Sequence, residues 1–255
     1  MNFPDFHTNA GDIFHWPMLK VVYRTDPECI AALLPPGITV GAEPNVNITI
    51  YNFPVPDVPE YGVLATVNAD YDGIEGEYTI GYGIDQESAI FNSQNMNGQP
   101  KYPCDTTYYR VGENVVARCT HQGYTFLEFN GVSKGQTDNP EDYTQNEWWV
   151  KYSRAAGLMP SEEFDFPPHV VHVKSDYGTA YTEAVEGQLV LRDSPWDPFA
   201  SQLPMREQLS AMLWWPIFKN REIKLAGKLD PKGFLPFADV ISGSRWPGMM
   251  GAPKK

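Results

Sequence analysis

The sequence predicts a mainly β protein with a few helices, an α+β chain whose strands are mostly antiparallel, and three observations carry that expectation. First, 23 prolines and 21 glycines punctuate short apolar runs, which suits many strands joined by turns better than long helices. Second, residues 45–53, NVNITIYNF, alternate cleanly, with Val46, Ile48 and Ile50 on one side and Asn45, Asn47 and Thr49 on the other. That period of two marks a strand with one buried face. Third, the segments 113–123, 124–131, 169–176, 180–187 and 188–193 read as strands too, each ended by Gly, Asn or Asp.

Helical signals are few. Residues 25–37, TDPECIAALLPPG, offer a Thr/Asp N-cap, Pro27 in the first turn, apolar Ile30, Leu33 and Leu34, and a Pro-Pro-Gly stop. A second helix is expected over 205–218, MREQLSAMLWWPIF, interrupted by Pro216. A third, EDYTQNEWWVKYSRAA, is expected over 141–156. The Trp148-Trp149 and Trp214-Trp215 pairs fall in these helical patterns and read as packing anchors. No repeat, low-complexity tract or linker divides the chain, so one domain over 1–255 is expected.

Composition narrows the partners. With 255 residues, 42% of them hydrophobic and 20% charged, the chain can bury a sizeable core. A formal net charge of -13, with no basic run beyond Lys254-Lys255, repels nucleic acid and anionic membranes and leaves small molecules as the expected ligands. The first residues, MNFPDFHTNAGDIFHW, lack a basic start and an apolar core, and no stretch approaches the ~18 apolar residues of a membrane helix. A cytoplasmic location is therefore expected. Cys29, Cys104 and Cys119 are an odd number at wide spacings without C-x-x-C, which indicates neither a disulfide framework nor a thiolate zinc site.

Familiar chemical signatures are absent. There is no G-x-S-x-G, H-E-x-x-H, G-x-x-x-x-G-K-S/T or G-x-G-x-x-G, and Gly81-Tyr82-Gly83 alone says nothing about phosphate. His169 and His172 lie three apart on an expected strand, which puts them on opposite faces and prevents a shared metal.

One residue stands out in NMNGQPKYPCD, residues 95–105. Lys101 is the sole cation of this stretch, set among Pro100, Tyr102 and Pro103, and the nearest Lys or Arg in sequence is Arg110. It is either a solvated turn residue or a nucleophile. A lysine nucleophile must spend time as the neutral amine, which requires burial or a neighbouring cation. With no cation near in sequence, burial or a spatially distant charge has to do this.

Read together, several segments resemble the acetoacetate decarboxylase family, in the same order and over most of the chain. They are Tyr23-Arg24-Thr25-Asp26 at a helix start, then Gly73, Gly76 and Tyr78 followed by Asp85 and Ala89, then Pro100-Lys101, and finally Leu189 and Leu191 before the run ending at Leu203-Pro204. The resemblance implies an antiparallel β-cone or barrel, a Schiff-base lysine at Lys101, no metal or organic cofactor, and a homo-oligomer. The chain also departs from the family pattern. Tyr102 stands where the family has a second lysine, Ser93-Gln94-Asn95 replaces a Gly-Arg-Glu stretch, and Trp16 takes the place of an N-terminal arginine. One of two acidic positions reads Thr49, and the other is met by Glu60 only with a shifted alignment.

A lysine imine turns a ketone into an electron sink, which can accept electrons from a departing carboxylate or from a deprotonated α-carbon that then attacks an aldehyde. Because the imine former is kept while flanking groups are lost, the resemblance points to a Schiff-base lyase acting on a small keto acid. A pyruvate aldolase-dehydratase is ranked ahead of a β-keto acid decarboxylase. A barrel that only binds a small molecule is the reading of another class. Lys101 is the expected nucleophile, Glu60 and Tyr61 the expected proton shuttle, and Gln94, Tyr102 and Trp16 the expected substrate-binding residues, with Tyr102 a further shuttle candidate.

Overall fold

A computed structural model describes residues 17–53, 60–159 and 161–247. Trp16 lies outside these residues. The strands are β1 (Met18–Arg24), β2 (Thr39–Val40), β3 (Asn45–Phe53), β4 (Glu60–Tyr71), β5 (Ile74–Ile84), β6 (Lys101–Pro103), β7 (Asp105–Val111), β8 (Asn114–His121), β9 (Tyr124–Gln136), β10 (Tyr143–Arg154), β11 (Phe164–Leu191) and β12 (Glu207–Lys228). Four short helices join them: α1 (Pro27–Ala31), α2 (Glu87–Asn97), α3 (Phe199–Gln202) and α4 (Pro231–Phe234).

The sheet runs in the order β10-β5-β4-β3-β1-β12-β11-β9-β8-β7, and β10 also pairs with β11. The hydrogen-bonded path from β10 through β5, β4, β3, β1, β12 and β11 therefore returns to β10. All ladders are antiparallel except β10 with β5 and β5 with β6. The mainly β, antiparallel expectation matches this architecture. Local chemistry sets the hairpins: Asp72 (φ 55°) and Gly73 (φ 76°) take the left-handed pair that a tight two-residue turn requires between β4 and β5.

The expected strand at 45–53 is β3, with the same bounds, and Val46, Ile48 and Ile50 are fully buried in the main core. Its opposite face holds Thr49 and Tyr51, 8% and 3% exposed, so β3 is buried on both sides. The expected helix at 25–37 forms only as α1. Pro27 occupies its first turn, but Asp26 makes no capping bond; its carboxylate instead accepts from Arg206 Nε and Nη2.

Two helical expectations are corrected. Within 205–218, residues 207–218 belong to strand β12, and within 141–156, residues 143–154 form strand β10. Sheet pairing overrides the helical spacing of Leu209, Met212 and Leu213, because β12 is held by β1 on one side and β11 on the other. Pro216 is tolerated since it lies past the β1 register, which ends at Trp214, and beside an irregularity in the β11 register. In β10, Trp148 joins the main core while Trp149 packs with Val171 and Val173, the opposite-face arrangement of neighbours on a strand. Trp148, Trp149 and Trp215 are packing residues as expected, on strands rather than helices, while Trp214 borders the cavity described below.

Helix α2 was not legible: ESAIFNSQNMN buries only Ile90, so its apolar periodicity is almost absent. Its end is sharp. Gly98 takes φ 67° as the left-handed cap, its N–H donating to Gln94 O, and a Cβ there would come within 2.3 Å of Val150 O. This cap turns the chain directly into β6 and Lys101. Among the described residues, no helix is long and apolar enough to cross a membrane.

Candidate active site

Strand β6 is three residues long and is pinned on several sides. Lys101 pairs in parallel register with Tyr82, and Tyr82 N–H donates to Pro100 O at 2.9 Å. The Gln94 side-chain amide, reaching over from α2, donates to Lys101 O. Backbone held this firmly gives the lysine side chain a defined direction. Lys101 is 8% exposed, so the solvated-turn reading fails, and it faces a cavity of about 530 Å³ walled by β1, β3, β4, β5, β10, β11 and β12.

In that cavity Lys101 Nζ lies 3.8 Å from Glu60 Oε2, and the other Glu60 oxygen accepts from Tyr51 Oη at 2.7 Å. The Tyr82 ring lies 5.3 Å from the amine. Tyr51 crosses toward Glu60 because Gly62 opposes it on β4: a Cβ at Gly62 would come within 2.4 Å of the Tyr51 hydroxyl. Burial pulls the Lys101 ammonium below the ordinary lysine value; Glu60 opposes that shift and Arg221 reinforces it.

Further charged groups meet at the same cavity. Lys20 from β1 sits 4.7 Å from the Trp214 ring, and burial lowers its pKa as well, with Glu77 opposing. Arg221 from β12 donates through Nε to Ser175 and through Nη2 to the Tyr177 hydroxyl, both at 2.9 Å. Glu147 from β10 accepts from Thr79 and from Trp149 Nε1, and burial raises its carboxyl pKa despite those bonds. Gln99, two residues before Lys101, is also buried against the cavity. The walls thus set two further basic side chains, Lys20 and Arg221, two carboxyls, Glu60 and Glu147, and two amides, Gln99 and Gln145, around the Lys101 amine.

The structure brings Lys101 and Glu60 together and sets other expected residues elsewhere. Tyr61, next to Glu60, takes the alternate position on β4, packs against the main core, and donates its backbone N–H to Asp85 Oδ1 at 3.0 Å. Tyr102 points away from Lys101. Its ring packs edge-on to His121 at 5.0 Å and lies 3.9 Å from the Arg245 guanidinium carbon. Gly81 and Gly83 make room for it, since a Cβ at either would lie about 3 Å or less from its neighbours Tyr102 or Cys104. The Gly81-Tyr82-Gly83 motif therefore serves packing. Gln94 acts on the Lys101 backbone; it does not line the cavity shared with Glu60, but borders two hollows without Lys101 and a third, of about 450 Å³, that Lys101 and Tyr102 also border.

Lys20, Tyr51, Tyr82, Gln99, Glu147 and Arg221 were missed. The pleat of β3 carried a signal for Tyr51, two residues from Thr49 on the face opposite the core. Glu147 and Arg221 were hidden because β10 was read as helical and the helical reading of β12 stopped short of residue 221.

Comparisons with known proteins bear on the fold and the family. The Legionella pneumophila acetoacetate decarboxylase superposes with TM-score 0.71 at 15% identity, over 89% of this chain and 93% of that one. An acetoacetate decarboxylase-like enzyme from Sphingomonas wittichii RW1 gives 0.68 at 17% identity, over 84% and 92%. The enduracididine biosynthesis enzyme MppR, complexed with pyruvate, gives 0.63 at 15%, over 82% and 88%. At these identities the likeness establishes the fold. In sequence, the chain is 36% identical over 107 residues to an acetoacetate decarboxylase of Streptomyces nogalater, a match spanning 40% of this chain and 43% of that relative. Residues 4–229 match the model of the family described as acetoacetate decarboxylase (ADC), and the chain belongs to that family.

Proposed function

We propose that this protein is a Schiff-base lyase acting on a small keto acid, with Lys101 as the nucleophile, and that its reaction is a pyruvate aldol condensation followed by dehydration. The observation that carries the reading is the Lys101 amine, buried in a cavity and 3.8 Å from a carboxylate. Burial favours the neutral amine, which attacks the keto carbon; water leaves and an iminium forms. Glu60, steadied by Tyr51, is placed to take a proton from the carbon next to the iminium, giving an enamine. The enamine carbon bonds to an aldehyde carbonyl carbon, whose oxygen takes up a proton. Loss of that hydroxyl as water, with a second proton from the chain carbon, leaves a conjugated iminium, and hydrolysis frees the product and Lys101. Glu147, protonated more readily than an ordinary carboxyl, is suited to supply the proton to the departing hydroxyl.

The remaining cations favour condensation over decarboxylation. Losing carbon dioxide is helped when the carboxylate is poorly stabilised, whereas Arg221 and Lys20 stabilise an anion in the ground state. Such groups suit a reaction that keeps its carboxylate. That MppR has been observed with pyruvate and with the condensation product of pyruvate and imidazole 4-carboxaldehyde supports the same reading. Acetoacetate-type decarboxylation is the second reading, favoured by the 36% identical segment shared with the Streptomyces relative.

Incubation with pyruvate and an aromatic aldehyde tests the choice. Condensation gives an unsaturated keto acid with a new ultraviolet band. Release of carbon dioxide from acetoacetate, with no such band from pyruvate and aldehyde, would assign the second reading instead.

A further inference from the structure

Two cations besides Lys101 face the nucleophile's cavity, and an aromatic pair stands between them. Arg221 Nη2 donates to the Tyr177 hydroxyl at 2.9 Å, the Tyr177 ring meets the Trp214 ring edge-on at 5.3 Å, and Lys20 Nζ lies 4.7 Å from the Trp214 ring. All four side chains line the cavity.

Lys20 is the less satisfied of the two. It stands directly opposite Thr49 in the register of β1 with β3, and paired residues on neighbouring strands share a face, so a threonine rather than a carboxylate adjoins it. Among the described residues it forms no ion pair. Glu77, the carboxylate whose charge acts on it, has both oxygens engaged, Oε2 by the Thr66 hydroxyl and Oε1 by the Gln145 amide at 3.0 Å. An ammonium drawn out of water against an aromatic ring, with no counter-ion of its own, is complete only when an anion joins it.

The two cations serve different parts of a substrate. Arg221 acts on the Lys101 amine and is placed for the carboxylate beside the iminium, whereas Lys20 is not among the charges felt there. The cavity, of about 530 Å³, holds far more than pyruvate alone. The space beyond the keto acid is therefore walled by aromatic rings and ends at Lys20. We propose that Lys20 is a specificity-determining residue: it binds a carboxylate on the aldehyde component, so that the cavity joins the keto acid to a flat, apolar aldehyde acid in preference to a neutral aldehyde. This rests on the condensation reading, and it makes the product a dicarboxylate with one end at Arg221 and the other at Lys20. A single ammonium with Glu77 behind it suits the one charge of a carboxylate better than the nearly two of a phosphate group.

The test compares para-formylbenzoate with para-formylbenzamide, two aldehydes of one shape and different charge, each condensed with pyruvate by the full chain. The acid should be preferred by about tenfold or more in kcat/KM, as for a bond between charged groups. That preference should vanish in Lys20→Met and persist in Lys20→Arg; because it is a ratio within one protein, a partly unfolded variant still reports it. No preference in the parent chain, or a preference that survives in Lys20→Met, would overturn the assignment. Isothermal titration with terephthalate and with benzoate reads the same charge without turnover. Terephthalate should bind about tenfold or more tighter in the parent chain, with the gap closed in Lys20→Met. Neither aldehyde reacting while this gap is present would count against the condensation reading alone, and absence of the gap would count against Lys20 whichever aldehyde reacts.

Discussion

Glu60 divides its two oxygens between the nucleophile and a tyrosine: Oε2 lies 3.8 Å from Lys101 Nζ, and Oε1 accepts from Tyr51 at 2.7 Å. The carboxylate therefore works against the depressed lysine pKa while standing where a proton must be moved. Burial is the larger influence on Lys101, and Glu60 the principal one opposing it. The two effects make separable demands on a variant.

Glu60→Gln should uncouple them. Removing the negative charge leaves burial unopposed, so the amine is neutral over a wider pH range and the imine still forms. Turnover should nevertheless fall by about 10²–10⁴-fold, the usual contribution of a positioned acid–base group. Trapping the imine by reduction alongside steady-state kinetics checks both halves; an unchanged kcat would remove Glu60 from the mechanism.

Acidity should shape both rate and stability through Lys101. Imine formation should rise as pH climbs through the lysine's lowered pKa, with a midpoint below the ordinary lysine value of 10.5. Between those two values the unfolded chain carries the proton and the folded chain does not. Stability contributed by this group therefore rises with pH across that window. Lys20, depressed by the same cause, adds in the same direction. A pH series of single-turnover trapping, with denaturant unfolding at each pH, measures the two effects, and a Lys101→Met chain should show a shallower stability slope.

Arg221→Gln should raise KM for the keto acid by about tenfold, with a smaller change in kcat, if the guanidinium holds the substrate carboxylate in both ground and transition states. Its fixing by Ser175 and Tyr177 gives it little freedom to be replaced by a flexible neighbour. Equal KM values would place the carboxylate elsewhere in the cavity.

Gly62→Ala should damage site and fold together. The new methyl would lie 2.4 Å from the Tyr51 hydroxyl, and Tyr51 is 3% exposed with little room to retreat. A loss of about 1–3 kcal/mol in unfolding free energy is expected for such overpacking, with reduced turnover as Tyr51 leaves Glu60. Chemical denaturation and kinetics of the same variant test the pairing.

How far the sequence revealed this molecule depends on how each residue is held. The alternation of Val46, Ile48 and Ile50 made β3 readable, because one face meets a core and the period survives in the side chains. Lys101 was legible through its odd setting and its family resemblance, and Glu60 through a shifted alignment. Helix α2 was not legible, since it is held by its Gly98 cap and contacts of polar residues and buries a single apolar residue, Ile90. Strand β10 imitated a helix because both of its faces are occupied, so Glu147, Trp148, Trp149 and Val150 are buried in succession and no period of two remains; β12 did so because it buries only Leu213 and Trp214, which leaves no alternation to read. That misreading concealed Glu147, which reaches the cavity from β10. Tyr61 and Tyr102 were proposed for adjacency to the right residues, yet on a strand adjacency puts neighbours on opposite faces.

The central claim is that residue 101 captures a carbonyl covalently, and borohydride reduction in the presence of pyruvate followed by peptide mass spectrometry tests it most directly. The account predicts one 1-carboxyethyl group added to Lys101 and none in a folded Lys101→Met chain, whose turnover should fall by about three orders of magnitude or more as for loss of a covalent nucleophile. An unmodified Lys101, with pyruvate, acetoacetate and other keto acids alike, in a protein that still turns them over would contradict it.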